Sequence, residues 1–253
     1  MVQKFIIQEN HPKLLLFFAG WACDETPFRQ YQPLNMDYMI CYDYRNLDFD
    51  YSILDRYEYV NVVSWSMGVW AGAYVLKQYK PIKGITIAYN GTYFPIHDQL
   101  GIPIKVFEGT LQQLTPATLQ KFMRRMCGHT PAYKEFMEIT PRRNFHEIHE
   151  ELQKVKDKYC EDSGIQWDKA GHPEEENESR LMSYIEQYGW NYDILAMGYD
   201  DAIFPAENLQ RCLSEAHLIC YEDSPHYDAD VFKILLEDLW KMPGDDFFTY
   251  IMK

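Results

Sequence analysis

The sequence predicts an α/β fold with a mostly parallel central sheet flanked by helices. Short apolar segments alternate with helical segments along the chain, and this alternation favours a sheet that helices cover on both faces. One of the apolar segments, Leu14–Phe18, has no polar residue, as expected of a strand buried on both sides. A second, Val62–Ser64, runs through a small-residue turn straight into an apolar helix.

The expected elements follow one another in order. Strands are predicted at Phe5–Gln8, Lys13–Ala19, Tyr38–Tyr42, Tyr59–Ser64, Ile82–Ala88, Ile194–Met197 and His217–Tyr221. Helices are predicted at Met67–Tyr79, Pro205–Ala216 and Tyr227–Trp240. The alternation breaks between about residues 110 and 190, where the pattern is helical and amphipathic. We therefore expect one domain over residues 1–253, with a helical lid inserted at about 110–190.

The turn after the fourth strand has the form of a nucleophile elbow. Ser66 follows the strand directly and stands between two small residues, Ser64 and Gly68. A strand and a helix can close around a nucleophilic serine only if such neighbouring positions are nearly free of side chain. Ser64 replaces the usual first glycine, and a plain strand-turn-helix with a capping serine is the alternative.

Two later segments favour the elbow. Asp201 follows the strand at Ile194–Met197, and His226 follows the last strand. The order serine, aspartate, histidine, each after a strand end, is that of an α/β-hydrolase triad. His226 would accept the serine proton and Asp201 would orient the imidazole. Asp200 is the competitor for the acid, and we prefer Asp201 because this loop usually presents its acid three residues after the glycine.

An oxyanion hole is expected where the second strand ends. The strand at Lys13–Ala19 runs into Gly20, so the backbone N–H of Trp21 is the candidate first donor. The backbone N–H of Met67, directly after the serine, is the second. The side chains of Trp21 and Trp65 are candidates to wall an acyl pocket.

Composition limits the class of protein. The net charge of −14 argues against a nucleic-acid partner. The six cysteines show neither C-x-x-C nor zinc-type spacing, which predicts reduced thiols, and His146 and His149 lack a third ligand. The first residues are too weakly apolar for a signal peptide, and no apolar stretch is long enough for a membrane span. We expect a cytoplasmic enzyme with no metal and no cofactor.

The predicted lid differs in charge from the rest of the chain. Residues 111–160 hold nine Lys and Arg against six Asp and Glu, within a chain that is strongly acidic. A cationic insertion would guide something anionic towards the active site. The alternative is that these charges are only the solvated faces of amphipathic helices.

Several segments together are similar to one family. The chain resembles the small α/β-hydrolases that are pimeloyl-acyl-carrier-protein methyl ester esterases (BioG type). The similar segments are Phe18–Trp21, Ser64–Gly68, Asn90–Thr92, Pro95–Ile96, Gly101–Pro103, Asp201–Pro205 and Pro225–Tyr227. The resemblance implies hydrolysis of a methyl ester on a pimeloyl chain held by acyl carrier protein, in biotin synthesis. Ser66, Asp201 and His226 match the family's catalytic positions, whereas Ala19 and Ala22 depart from common hydrolase patterns.

An acyl carrier protein is acidic, so the implied substrate would need a basic docking face. The candidates for that face are Arg124, Arg125, Arg142 and Arg143. Asn90 would either line the substrate pocket or brace a turn. Two other functions stay open: a broader acyl ester or thioester hydrolase, and a non-catalytic binding protein with the hydrolase fold.

Overall fold

A single mostly parallel sheet organises the residues that the computed structural model describes, which are 1–79, 81–164 and 178–241. Its strands are β1 (Val2–Ile7), β2 (Lys13–Phe18), β3 (Asp37–Tyr42), β4 (Tyr59–Trp65), β5 (Thr86–Tyr89), β6 (Ile194–Gly198) and β7 (His217–Tyr221). They lie in the order β1-β3-β2-β4-β5-β6-β7, with β1 antiparallel to β3 and the other pairs parallel. The predicted fold class is confirmed.

Helices cover this sheet. They are α1 (Met67–Lys77), α2 (Ile104–Gln112), α3 (Pro116–Met126), α4 (Thr130–Glu138), α5 (Phe145–Ser163), α6 (Glu178–Tyr188), α7 (Ala206–Cys212) and α8 (Ala229–Leu236). Short 3₁₀ turns occupy Thr26–Phe28, Tyr51–Arg56 and Asp238–Lys241. None of the helices in the described ranges is long and apolar enough to cross a membrane.

The centre of the sheet is its most buried part. All five residues of Leu14–Phe18 in β2 have no solvent exposure, because β3 and β4 pair with both edges of this strand and helices cover its faces. The edge strand β7 is largely exposed. The elements that follow β2 and β4 therefore start from the most constrained strands of the molecule.

One predicted strand starts too early. Extended structure was expected from Ile82, but β5 begins at Thr86. Gly84 has φ +150°, and a Cβ there would lie 2.2 Å from the backbone oxygen of Val60. The backbone N–H of Ile85 then donates to the side-chain oxygen of Asn61, at 3.0 Å, and regular strand pairing begins at Thr86.

The helical insertion between β5 and β6 consists of α2 to α6. Its predicted amphipathic character is confirmed: Leu119 and Met123 of α3 are buried, as are Leu152 and Val155 of α5. Residues 165–177 of the predicted insertion, and residue 80 and residues 242–253 of the predicted domain, lie outside the described residues. Whether the insertion acts as a lid stays a prediction.

Candidate active site

Ser66 lies on the tight turn between β4 and α1. Its backbone has φ 57° and ψ −127°, a conformation that costs energy for a residue with a side chain and is found at functional turns. The turn also needs small neighbours. A Cβ at Gly68 would lie 2.2 Å from the backbone oxygen of Phe18, and one at Gly91 would lie 2.2 Å from that of Ser66. Both glycines let neighbouring backbones approach the serine.

Hydrogen bonds connect the three predicted side chains. Nε2 of His226 lies 2.8 Å from Oγ of Ser66, and Nδ1 of the same ring lies 2.8 Å from Oδ2 of Asp201. His226 and the carboxylate of Asp201 are buried. A carboxylate can only accept, so Nδ1 carries the proton and Nε2 is left to accept from the serine hydroxyl. This arrangement suits proton transfer from serine to histidine.

The choice between Asp201 and Asp200 is visible in the structure. The second oxygen of Asp201, Oδ1, accepts hydrogen bonds from the backbone N–H groups of Ile203 (2.7 Å) and Phe204 (3.0 Å). The carboxylate is therefore held by its own loop and aimed at His226. Asp200 is exposed, and its backbone N–H donates to Ser224.

Two buried side chains hold the loop of His226. The indole Nε1 of Trp65 donates to the backbone oxygen of His226 at 2.9 Å. The amide of Asn90 donates to the oxygens of Pro225 and His226, both at 3.1 Å, and accepts from the N–H of Gly198 at 2.8 Å. Asn90 is fully buried and is not among the residues that form the wall of the cleft above Ser66. The pocket prediction for Asn90 is thus corrected: it braces the strand ends behind the histidine.

The turn after β2 lies against the serine. A Cβ at Gly20 would be 3.0 Å from the Trp65 ring and 3.1 Å from Cβ of Ser66. Trp21 and Met67 are both buried, and neither backbone N–H donates a hydrogen bond within residues 1–79, 81–164 and 178–241. Buried N–H groups are rarely left without a partner, so both are suited to bind an oxyanion.

An apolar cleft leads to Ser66. Trp21 and Trp65 both contribute to its wall, beside Phe122 and Arg125 of α3. The other residues of the wall are Met67, Ile102, Val106, Phe107, Thr110, Met126, Leu152, Ile203 and His226. The cleft has about 20 Å³ of free volume, which is room for about one water molecule. The rings of Trp21 and Phe122, 5.1 Å apart, help to close it.

Comparison with known proteins identifies the family. A family model described as pimeloyl-ACP methyl esterase BioG matches residues 1–170, which is more than half of the 253 residues. The chain belongs to the BioG family. The matched range contains Ser66, whereas Asp201 and His226 lie beyond it.

Two relatives of known sequence are similar to this chain. The chain is 44% identical over 223 residues to a protein of Bacteroides fragilis named malonyl-[acyl-carrier protein] O-methyltransferase, covering 87% of this chain and 40% of that protein. It is 42% identical over 140 residues to a Haemophilus influenzae protein described as uncharacterized, covering 55% of this chain and 63% of that protein. The chain thus spans less than two thirds of either relative.

Solved structures show the same fold. The crystal structure of BioG from Haemophilus influenzae has a TM-score of 0.76 at 29% identity, and the match covers 93% of this chain and 99% of that one. An esterase from Exiguobacterium antarcticum has a TM-score of 0.61 at 12% identity, covering 95% of each chain. The second likeness shows the fold alone, and it is the α/β-hydrolase fold that the sequence predicted.

The four arginines that were predicted to dock a carrier protein separate into two groups. Arg124, Arg125 and Arg142 are exposed. The side chain of Arg143 is 6% exposed and forms ion pairs with Asp43 and Glu151, so the docking prediction for Arg143 is wrong. A buried guanidinium between two carboxylates has no surface to offer a partner.

Glu151, which contacts the turn after β2, was not predicted from the sequence. Its carboxylate is fully buried in α5, and it accepts from the backbone N–H groups of Ala22 (3.3 Å) and Tyr44 (2.9 Å). Burial raises the pKa of Glu151, and the adjacent Arg143 opposes that rise. A signal was present: Glu151 stands on the apolar face of its helix, beside Leu152 and three residues after Ile148.

No cluster of three or more His, Cys, Asp or Glu side chains that could hold a metal ion occurs within the described ranges. His146 and His149 are exposed residues near the start of α5. None of the six cysteines forms a disulfide within the part of the chain that the structure describes.

Proposed function

We propose that this chain is a serine esterase that hydrolyses the methyl ester of a pimeloyl chain carried by acyl carrier protein, in biotin synthesis. The observation that carries the proposal is the hydrogen-bonded series from Ser66 through His226 to Asp201, at the base of an apolar cleft. Such a series makes a serine hydroxyl nucleophilic, because the histidine removes its proton during attack.

The reaction would proceed in two halves. Oγ of Ser66 attacks the ester carbonyl while Nε2 of His226 takes the proton, and the backbone N–H groups of Trp21 and Met67 bind the developing oxyanion. The proton then passes from His226 to the leaving oxygen, and methanol departs. Water attacks the acyl-enzyme by the same base, which releases the free carboxylic acid and restores Ser66.

Three features support an acyl chain on a carrier protein. The family description names pimeloyl-ACP, and the Bacteroides fragilis relative is named for a methyl transfer on malonyl-acyl-carrier protein, a reaction that uses a carrier-bound acyl group. The cleft wall is mostly apolar, as an aliphatic chain requires. Exposed Arg124, Arg125 and Arg142 give the insertion cations that an acidic carrier would meet.

The insertion would also have to move. A cleft with about 20 Å³ of free volume is far too small for a pimeloyl chain, so α3 would shift away from Trp21 as the substrate enters. We therefore propose that the insertion acts as a lid whose closing contact is the pair Trp21 and Phe122.

The test is kcat/KM for methanol release from the methyl ester of pimeloyl-carrier protein, compared with the same ester as a free small molecule. Ser66→Ala provides the blank. A carrier preference of about tenfold or more, which corresponds to about 1.4 kcal/mol of transition-state binding, supports the assignment. Equal rates would contradict the carrier-bound substrate and favour a broader acyl ester or thioester hydrolase. The observation that favours this second candidate is the mostly apolar cleft wall: among the described residues that line it, Thr110 and Arg125 are the hydroxyl and charged side chains besides the proposed catalytic ones.

A further inference from the structure

A second groove lies beside the cleft, between α2 and α3. It has a volume of about 350 Å³. Lys105 and Gly109 of α2 form part of one wall, and Lys121 and Arg125 of α3 form part of the other. The remaining residues of the lining are Val106, Thr110, Gln113, Leu114, Thr118 and Phe122.

The groove is cationic. Lys105, Lys121 and Arg125 line it, and no carboxylate among the described residues does. None of these three cations forms a salt bridge with another residue in the described part of the chain. Glu108, the carboxylate of α2, is turned away from the groove, since it is buried and paired with Lys156. The charge of the groove is therefore left for a ligand.

The groove continues into the cleft. Val106, Thr110, Phe122 and Arg125 line both spaces. A long ligand could thus lie in the groove and place its end near Ser66. The place where the groove meets the cleft is also where α3 would move, because Phe122 contacts Trp21 across the cleft.

We propose that this groove binds the phosphate of the flexible arm that links the acyl chain to its carrier. The inference rests on the proposed function and deepens it. The proposed occupant is a phosphopantetheine thioester arm. Its phosphate would meet the three cations of the groove, and its acyl end would pass Arg125 towards Ser66. The acidic surface of the carrier itself is a separate contact, for which Arg124 and Arg142 are placed.

Two small substrates that differ in one phosphate test the groove. They are the methyl-pimeloyl thioesters of 4′-phosphopantetheine and of pantetheine, each assayed by methanol release. We expect the phosphate to raise kcat/KM about tenfold in the wild type, mainly through KM. Lys105→Ala and Lys121→Ala should each lower this phosphate preference, and the double variant should bring it close to one. Lys134→Ala, which removes an exposed cation of α4 away from the groove, should keep it.

Gly109 offers a sharper variant. A Cβ at this position would have no atom of the described residues within 4 Å, so a side chain can enter the groove without disturbing their packing. Gly109→Glu should lower the phosphate preference through charge repulsion, and Gly109→Gln, of the same size without the charge, should retain most of it.

The two proposals fail in different ways. Equal methanol release from both thioesters in the wild type would contradict phosphate binding in the groove, and so would a phosphate preference that the double variant Lys105→Ala with Lys121→Ala leaves unchanged. Either result would leave the proposed esterase activity standing. Methanol release no faster than that of Ser66→Ala from any ester would overturn both.

Discussion

The carboxylate of Glu151 accepts a hydrogen bond from the backbone N–H of Ala22, at 3.3 Å. Ala22 ends the turn that carries the proposed oxyanion donor Trp21, and it has φ 67°, in the left-handed region. The indole of Trp21 donates to the backbone oxygen of Ile148, also on α5, at 2.9 Å. Helix α5 of the insertion therefore holds the strained turn in place.

Glu151→Gln should lower both stability and turnover. The change leaves the buried Arg143 with one carboxylate fewer, and losing one partner of a buried pair costs about 3 kcal/mol or more. A loosened turn would misplace the Trp21 N–H, so kcat should fall by about tenfold or more while KM changes little. Urea unfolding and steady-state kinetics measure the two effects. Glu150→Gln is the control, because that side chain is 42% exposed. Equal effects of the two substitutions would contradict the positioning role.

Asp201→Asn should nearly abolish turnover. An amide cannot stabilise the charged imidazolium and favours the wrong tautomer, and kcat should fall by about 10³ to 10⁴. Asp200→Asn changes an exposed neighbour and should stay within about twofold of the wild type. Steady-state kinetics on a small methyl ester distinguish them. A larger loss of kcat in Asp200→Asn than in Asp201→Asn would assign the acid of the triad to Asp200.

Arg143→Ala should destabilise the protein more than Arg142→Ala. The first leaves Glu151 buried and unpaired, at a cost of about 3 to 5 kcal/mol. The second removes an exposed side chain and keeps the backbone N–H that donates to Asp24 at 2.6 Å. Urea unfolding compares the two free energies. Similar free energies of unfolding for the two variants would show that the buried ion pair of Arg143 with Glu151 contributes little to stability.

Glu25 should make stability sensitive to acid. Burial alone would raise its pKa, but hydrogen bonds from Lys4, from its own backbone N–H and from Tyr42 outweigh burial and lower the pKa from 4.5 to about 2. The folded protein thus binds this proton less readily than the unfolded chain, so the contribution is present above pH 4.5 and is lost as the pH falls towards 2.

Glu25→Gln measures that contribution. The free energy of unfolding of the wild type should exceed that of the variant by about 1 kcal/mol at neutral pH, after allowance for solvent screening. This difference should shrink below pH about 4. Urea unfolding across this range gives the curve. Glu58→Gln, which removes an exposed carboxyl, should show no such convergence. A difference between wild type and Glu25→Gln that is independent of pH would contradict the assignment.

The fold and the three central side chains could be predicted because their signals are local. The apolar run of Leu14–Phe18, the small residues around Ser66 and the placement of His226 after the last strand each lie within a few positions of sequence. A tight turn needs small residues wherever it occurs, so Gly68 could be interpreted without knowing its partner.

The supporting contacts could not be predicted because they join distant parts of the chain. Glu151 and Ala22 are 129 positions apart, and Asn90 and Pro225 are 135 apart. Sequence pattern gives the face of a helix on which a residue lies, but it does not give the group opposite. Arg143 next to Arg142 looked like surface charge, and only the fold shows that one is buried and the other exposed.

Covalent labelling of the folded protein by a fluorophosphonate, followed by intact mass and peptide mapping, tests most directly whether Ser66 is the nucleophile of a serine esterase. We expect one adduct per chain, on Ser66, with none in Ser66→Ala and much slower labelling in His226→Ala. The absence of an adduct in folded wild-type protein, or an adduct on another residue, would contradict a serine esterase and favour a binding protein with the hydrolase fold.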